Sequence, residues 1–290
     1  MAGRAVVDPA KCDGCLLCAQ VCPVNFAAGE HGKARVVDGG FCIACGHCVA
    51  VCPAGAIAYL GLDPAGFERI SSDARIPYER LLAFLKTRRS RREFKDEPIP
   101  PETLKKLLDA GIQAPNSVNK QEVRYTVITD KALLKEISAR IGGEVVKLMR
   151  LLRGRAGRLF FRLWRPKDYK ALMEFMPLLE VMEKAVAAGI DPVLYNAPCL
   201  IIVSTSEGAA GGAEDAVYCA ANIQLAAQSL GLGSCVIGFV TEPCRSDAGI
   251  RRLCRVPEGC EARTSLIVGT PKFRYTFSTP KLSPKADFIG

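Results

Sequence analysis

Fourteen cysteines occur in the 290 residues, and eight of them form two copies of one pattern near the N-terminus. In each copy three cysteines are separated by pairs of residues, and a fourth precedes a proline. The copies are Cys12-x-x-Cys15-x-x-Cys18-x-x-x-Cys22-Pro23 and Cys42-x-x-Cys45-x-x-Cys48-x-x-x-Cys52-Pro53. Thiolates at this spacing bind 4Fe–4S cubes, and the fourth cysteine of each run ligates the other cluster.

The two runs therefore predict two clusters, each of which takes three cysteines from one run and the fourth from the other. Three thiolates on one loop can reach three irons of a cube, whereas a fourth on the same short loop would be strained. The first cluster is assigned to Cys12, Cys15, Cys18 and Cys52, and the second to Cys22, Cys42, Cys45 and Cys48. A zinc site also uses Cys-x-x-Cys pairs, but neither zinc nor a disulfide framework predicts the third cysteine and the Cys-Pro ending.

The pattern resembles that of bacterial-type ferredoxins with two clusters. The copies begin 30 residues apart and share the Cys-Pro ending, so the sequence indicates an internal duplication. We expect the strand at residues 34–37 to have a symmetry mate at residues 56–60. The residues from 1 to 63 are predicted to form this small domain.

The composition is that of a soluble globular protein, with 49% hydrophobic and 24% charged residues. The length leaves room for about two domains. Residues before Cys12 lack the apolar core of a signal peptide, and no apolar run approaches the ~20 residues of a membrane span. Cluster thiolates belong in a reducing compartment, so we expect a cytoplasmic protein.

The net charge is +9, and the excess of basic residues lies after residue 64. A basic balance can attract nucleic acid or an anionic membrane surface. No nucleic-acid motif supports the first, and an anionic cofactor or an acidic redox partner explains the charge as well. In the segment 142–190, predicted to be a helical basic insertion or lid, arginines interleave with leucines. This segment favours a lid or dimer-contact helix, with a membrane-surface or partner-docking helix as the alternatives.

Residues 64–77 read as a linker, and helices alternate with strands after it. Helices are predicted from Tyr78 towards Arg88, from Pro101 to near Gly111, from Lys131 to Ile141, from Glu214 to Leu230 and near residues 247–254. Strands are predicted around residues 123–127, 198–204 and 265–269.

The arginine run at residues 88–92 contains a hydroxyl at Ser90. Guanidinium and hydroxyl donors together suit a phosphate group. If a helix ends there, the negative end of its dipole disfavours a bound anion. Several arginines would then be needed to bind the phosphate. A solvated charged face and a nucleic-acid patch are the alternatives.

Four stretches resemble the nitroreductase family, whose members bind FMN at a homodimer interface: residues 88–94, 114–121, 231–238 and 269–274. The resemblance implies a nitroreductase-like FMN domain over residues 78–290. With the N-terminal motif, the chain is similar to ferredoxin–nitroreductase fusions. The implied fold class is α+β, a mixed sheet with helices preceded by the small 2×4Fe–4S domain.

The resemblance also implies the flavin-binding residues. Arg88, Arg89 and Ser90 match the phosphate motif, and Lys272 and Arg274 match late basic residues at the phosphate. Arg92 matches the basic residue at the flavin N1/O2 edge. Residues that match the segment reaching FMN from the other subunit are Pro115, Asn116, Ser117 and Asn119. Residues that match the backbone near N5 are Val236, Ile237 and Gly238. The family often has Gln-Pro-Trp where this chain has Gln121-Glu122-Val123.

The implied function is an oxidoreductase with two 4Fe–4S clusters and FMN, and no catalytic side chain is expected. A one-electron donor such as ferredoxin or flavodoxin would charge the clusters, and FMN would reduce a nitro, quinone or activated-alkene acceptor. The reverse reaction, a non-enzymatic relay to a protein partner, and flavin fragmentation are alternatives. The loop at 208–212 is not G-x-G-x-x-G, so the use of NAD(P)H stays open.

Overall fold

The computed structural model describes residues 4–37, 41–60, 66–164 and 166–290. The chain divides into two compact units, of which the first contains Met1–Pro77 together with Asn116–Gln121. The second unit contains Tyr78–Pro115 and Glu122–Gly290. The expected domain end at residue 63 lies outside the described residues. The segment Asn116–Gln121, expected within the flavin domain, groups with the first unit.

Two small antiparallel ribbons build the first unit. Strand β1 (Arg4–Val7) pairs with β4 (Ile57–Leu60), and β2 (Phe26–Ala28) pairs with β3 (Ala34–Val36). The strands expected near residues 34 and 56 are present, but each pairs with a partner of its own. Strand β2 has only three residues, too few for an alternating pattern to reveal it.

The two cysteine loops repeat one backbone conformation. Gly14 and Ala44 occupy equivalent positions and have φ of 78° and 54°, while Leu16 and Gly46 have φ of 55° and 76°. Left-handed backbone at both positions leads each loop into a short helix, α1 (Leu17–Val21) and α2 (His47–Val51). The shared loop conformation agrees with the internal duplication expected for the cluster domain.

The second unit is built on a four-stranded sheet with the order β5-β6-β8-β7. Its strands are β5 (Arg124–Ile128), β6 (Cys199–Ser206), β7 (Gly233–Val236) and β8 (Cys260–Gly269), and each neighbouring pair is antiparallel. Strand β8 begins earlier than the expected start at residue 265. Its first half alternates buried residues with the half-buried Glu261 and Arg263, and these charged residues concealed the strand.

Both faces of this sheet are buried. Leu200 and Ile202 of β6 belong to one apolar cluster, and Cys199, Ile201 and Val203 belong to another. This alternation explains why β6 is an unbroken apolar run rather than an apolar–polar pattern.

Among the described residues, eight α-helices belong to the second unit. Their bounds are α3 (Tyr78–Thr87), α4 (Pro101–Gly111), α5 (Lys131–Arg153), α6 (Arg155–Trp164), α7 (Pro166–Ala187), α8 (Gly212–Ser229), α9 (Gly238–Ser246) and α10 (Ala248–Leu253). Helix α5 continues well past its expected end at Ile141. A Cβ at Gly142 would lie 3.0 Å from Val186 of α7, so tertiary packing holds the helix together where glycine alone would end it.

The described helices include none with the length and apolar character needed to cross a bilayer.

Candidate cluster and flavin sites

The four cysteines assigned to the first cluster line one recess in the first unit. Cys12, Cys15, Cys18 and Cys52 surround it, together with apolar side chains such as Val7 and Ile57. Cys52 comes from the second run and the other three from the first. Four thiols around one apolar recess fit the donor set of a 4Fe–4S cube.

Two cysteines of the second set lie beside the hydroxyl of Tyr59. That oxygen lies 3.3 Å from Cys48 Sγ and 3.7 Å from Cys42 Sγ. Burial raises the pKa of the Cys48 thiol, and the nearby Cys22 raises it further. Cys22 of the first run therefore lies beside the second run, as the exchange of fourth ligands requires.

Within the described ranges, no three His, Cys, Asp or Glu side chains converge as they would around one metal ion. The thiolates of a cubane bind four separate irons and need not converge on one point. The four cysteines around the first recess, one of them drawn from the other run, fit the donor set of a cubane cluster.

Two residues beside the second cysteine set were not anticipated from the sequence. Tyr59 is 6% exposed, and burial raises its pKa, so the hydroxyl keeps its proton. Asn25, also 6% exposed, donates through Nδ2 to Cys22 Sγ at 3.2 Å and to the carbonyl of Phe41 at 3.0 Å. One feature of the sequence could have indicated that Tyr59 is buried. Tyr59 follows Ile57 by two residues in β4, and residues two apart in a strand point to the same face.

Three of the four family-like stretches meet in the second unit. Ser90 forms a parallel bridge with Ser234 of β7, and the Arg91 amide donates to the Ser234 carbonyl at 3.0 Å. At the other end Phe94 bridges Pro271, and the Lys272 amide donates to the Glu93 carbonyl at 3.0 Å. The stretch 88–94 thus joins β7 to the segment that follows β8.

Two glycines permit this close packing. A Cβ at Gly233 would lie 2.7 Å from Arg91 Cγ. A Cβ at Gly269 would lie 2.7 Å from both Phe94 Cδ1 and Pro198 Cδ. Neither position tolerates a side chain without movement of its neighbours.

Arg91 differs from the other arginines of the run because it is buried. Its Nη1 donates to the Phe273 carbonyl at 2.9 Å, and its Cζ lies 3.4 Å from the centre of the Tyr275 ring. Arg91 therefore anchors the segment after β8, a role that could not be distinguished from that of its neighbours by sequence alone.

The remaining cations are available for an anion. Arg88 and Arg89 are half-buried, and Ser90 and Arg92 are exposed. In the part of the chain that the structure describes, Arg88, Arg89, Arg92, Lys272 and Arg274 form no ion pair with a carboxylate. Unpaired guanidinium groups beside a hydroxyl fit the phosphate of FMN.

Lys272 and Arg274 line a recess of the second unit that also includes Lys95, Arg91 and Gln228. The stretch 88–94 contributes only Arg91 to that lining. The structure thus brings the late basic residues to the same segment as the arginine run, without placing them in one recess with Arg88 or Ser90.

Arg92 lies beside a tyrosine that sequence reasoning missed. Its Cζ is 5.7 Å from the centre of the Tyr195 ring, and burial raises the Tyr195 pKa while Arg92 opposes that rise. The loop that carries Tyr195 is held by Asp191, which accepts the amides of Val193 and Leu194, each at 2.9 Å, and the hydroxyl of Ser138. Tyr195 has φ of 56°, so the loop holds it in left-handed backbone.

The residues expected near flavin N5 lie where β7 turns into α9. Val236 is 47% exposed and ends β7, whereas Ile237 is buried and its amide donates to the Ser265 carbonyl at 2.8 Å. Gly238 is exposed and begins α9. The exposed backbone at this turn is open to a ligand.

The fourth family-like stretch, residues 114–121, lies mostly in the first unit. Within the first unit, Asn119 Nδ2 donates to the carbonyls of Ile43 at 3.1 Å and Ala44 at 2.8 Å, between two ligands of the second cluster. Asn116 Oδ1 accepts the Gln121 amide at 3.0 Å. Val118, Asn119 and Gln121 all have positive φ, which for β-branched Val118 indicates a strained turn. Ser117 begins the short turn Ser117–Asn119, and Pro115 is the last residue of the second unit before it.

Models of known protein families match regions in both units. Residues 4–53 match the model of a 4Fe-4S dicluster domain, and residues 85–270 match that of the nitroreductase family. The FMN reductase (NAD(P)H) of Bacillus subtilis (strain 168) is 27% identical over 198 residues, which cover 68% of this chain and 68% of that protein.

Solved structures share the fold. A nitroreductase with bound FMN from Bacteroides fragilis NCTC 9343 has a TM-score of 0.54 at 22% identity, covering 72% of this chain and 97% of that one. An FMN-dependent nitroreductase from Clostridium difficile R20291 has a TM-score of 0.50 at 22% identity, covering 73% and 100%. The expected fold class is confirmed, and the matches agree with the expected cofactors, two 4Fe–4S clusters and FMN. The chain belongs to the nitroreductase family and carries an N-terminal 4Fe–4S dicluster domain.

Proposed function

We propose that the protein is an iron–sulfur flavoprotein oxidoreductase that passes electrons from its two clusters to FMN and on to an organic acceptor. The clusters carry single electrons and FMN collects two of them, so the bound groups convert one-electron into two-electron chemistry. A ferredoxin or flavodoxin supplies the electrons, and a nitro, quinone or activated-alkene compound receives them.

The observation that carries this proposal is the contact of Asn119 with the second cysteine loop. Asn119 belongs to the stretch that resembles a flavin-binding segment, yet its amide is bonded to Ile43 and Ala44. The chain continues from Gln121 into the second unit. A segment that contacts a cluster loop and also resembles a flavin-binding stretch supports electron transfer between the two cofactors.

The chain's own residues position the flavin. Arg88, Arg89 and Ser90 would hold the phosphate with Lys272 and Arg274, and Arg92 would supply a cation for the N1/O2 edge. The backbone at Val236, Ile237 and Gly238 would bind near N5. In a homodimer, residues 115–119 of one subunit approach the flavin of the other.

The test is anaerobic reduction of the purified protein by a one-electron donor in the absence of NAD(P)H. The proposal expects the flavin to bleach and then to reoxidise rapidly when a nitroaromatic compound or a quinone is added. Reoxidation by a protein partner alone would support the relay instead. Bleaching by NAD(P)H but not by the one-electron donor would contradict the proposed electron route.

A composition measurement tests the cofactor content independently. Two cubane clusters and one flavin require about eight irons and one FMN per chain. About one metal ion per cysteine run, without acid-labile sulfide, would contradict the cluster assignment.

A further inference from the structure

We propose that Tyr59, assisted by Asn25, makes the two clusters unequal, so that the second cluster accepts an electron more readily than the first. The inference concerns this chain's residues around the cluster ligands, and it holds whichever acceptor the flavin serves. It assigns the second cluster as the place where the transferred electron resides.

The direction of the Tyr59 hydrogen bonds follows from cluster chemistry. A thiolate that ligates iron has no proton to give, so the hydroxyl is the donor. Its single proton is shared unequally between Cys48 Sγ, the nearer acceptor at 3.3 Å, and Cys42 Sγ at 3.7 Å. Tyr59 is 6% exposed, and water therefore does not compete for the proton. The phenol acts on two ligands of one cluster.

Asn25 acts on a third ligand of the same cluster. Its Nδ2 donates to Cys22 Sγ at 3.2 Å and to the Phe41 carbonyl at 3.0 Å, so both amide protons have acceptors. The backbone bond to Phe41 fixes the amide in place. Side-chain donors thus reach three of the four ligands in the second set.

The internal duplication provides the comparison for the first cluster. The copies are offset by 30 residues, so Gly29 occupies the position equivalent to Tyr59, and Gly55 the position equivalent to Asn25. Glycine has no side chain to donate. Among the described residues, the hydrogen bond found at a first-cluster thiol is a backbone one, from the Ala56 amide to Cys52 Sγ at 3.3 Å.

Solvent exposure and backbone donors are matched between the two sites, whereas Asp13 at the first recess is replaced by Ile43 in the second loop. Each set contains one exposed cysteine, Cys15 or Cys45, and one buried cysteine, Cys18 or Cys48. Each also receives a backbone donor, since the Ala44 amide donates to Cys42 Sγ at 3.4 Å. Because solvent exposure and backbone bonds are alike, the difference in potential comes from side chains: donors at the second set raise its potential, and the Asp13 carboxylate beside Cys15 would disfavour added charge at the first.

The physical effect is a preference for the reduced state. Reduction adds one electron from the external donor to a cluster, which becomes more negative by one charge, and no proton is needed to balance the step. Hydrogen bonds to the sulfur ligands stabilise the added charge and raise the potential. The second cluster has a tyrosine and an asparagine at the positions where the first has two glycines. These donors therefore direct the electron to the second cluster.

The experiment uses the full-length holoprotein and the variant Tyr59→Phe, which removes only the hydroxyl. Anaerobic potentiometric titration followed by electron paramagnetic resonance measures both cluster midpoints. We expect two midpoints in the natural protein and a decrease of the higher one in Y59F. At the natural midpoint the ratio of reduced to oxidised cluster should fall roughly 3- to 10-fold, and tenfold corresponds to 59 mV for one electron.

A matched control is Ile57→Val, which trims a residue lining the first recess without changing a hydrogen bond. It should leave the higher midpoint unchanged. Electron–nuclear double resonance provides a structural readout, because the higher-potential cluster should show an exchangeable proton coupling that Y59F lacks. Coincident midpoints in the natural protein, or unchanged midpoints in Y59F, would overturn the inference. None of these readouts requires flavin reduction, so failure of the proposed electron route would be recognised separately.

Discussion

The side-chain amide of Asn119 donates to the carbonyl oxygen of Ala44 at 2.8 Å, within the loop that carries Cys42 and Cys45. Ala44 has φ of 54°, a conformation that costs an alanine energy, and Asn119 itself has φ of 53°. The bond therefore joins two strained loops, and each holds the other in place.

Replacing Asn119 with Ala should loosen the second cluster. Two hydrogen bonds are lost, each worth about 1 kcal/mol, so the loop should open roughly 5- to 30-fold more often. Iron release to a chelator under anaerobic conditions measures this, with about half of the iron leaving faster.

The matched control for that measurement is Lys120→Ala, which changes an exposed neighbour in the same turn. Equal iron release from the two variants would show that Asn119 does not support the loop.

The double replacement of Arg88 and Ser90 by Ala should release FMN and leave the iron in place. Charge-assisted donors to phosphate are the strongest in the proposed site, so FMN affinity should fall at least about 10-fold. Flavin and iron content after desalting provide the measurement, with Arg80→Ala on α3 as an exposed control. Full flavin occupancy in the double variant would show that the phosphate lies elsewhere.

Replacing Arg92 with Ala should lower the flavin midpoint potential. The cation proposed at the N1/O2 edge stabilises the anionic reduced flavin, and its loss should shift the redox ratio roughly 10- to 100-fold. Arg92→Lys keeps the charge and should retain most of the natural value. A midpoint that is the same in all three proteins would remove Arg92 from the flavin edge.

Gly269→Ala should destabilise the second unit. The new Cβ would meet two ring atoms at 2.7 Å, one of Phe94 and one of Pro198. Overpacking of this kind costs about 1–3 kcal/mol, and thermal unfolding should show it. Gly143→Ala adds a methyl group on α5 where the structure has open space, so it should be neutral or stabilising. Equal melting temperatures for both variants would contradict the close packing.

Much of the cluster domain could be predicted from the sequence because spacing determines it. A run of cysteines specifies which ligands share a loop, and the structure places Cys52 in the recess of Cys12 and Cys15 as expected. Tyr59 and Asn25 were missed because their roles depend on folding that brings β4 and the turn after α1 against the cysteines. A spacing pattern carries no information about such contacts.

In the second unit, helix bounds were predicted correctly where the apolar periodicity was clear. They were wrong where tertiary packing overrides the local sequence. Helix α4 begins at Pro101 and ends at Gly111 as expected. Helix α5 passes through Gly142 because Val186 packs against that glycine. Tyr195 escaped notice because its place beside Arg92 depends on the Asp191 turn, which the local sequence does not specify.

The most direct test of the central claim is rapid mixing of the oxidised holoprotein with a limiting one-electron donor under anaerobic conditions. Freeze-quenched samples follow the reduced clusters by electron paramagnetic resonance, and stopped-flow absorbance follows the flavin. We expect the cluster signal to appear first and to decay at the rate at which the flavin bleaches. Persistent reduced clusters beside an oxidised flavin would contradict it.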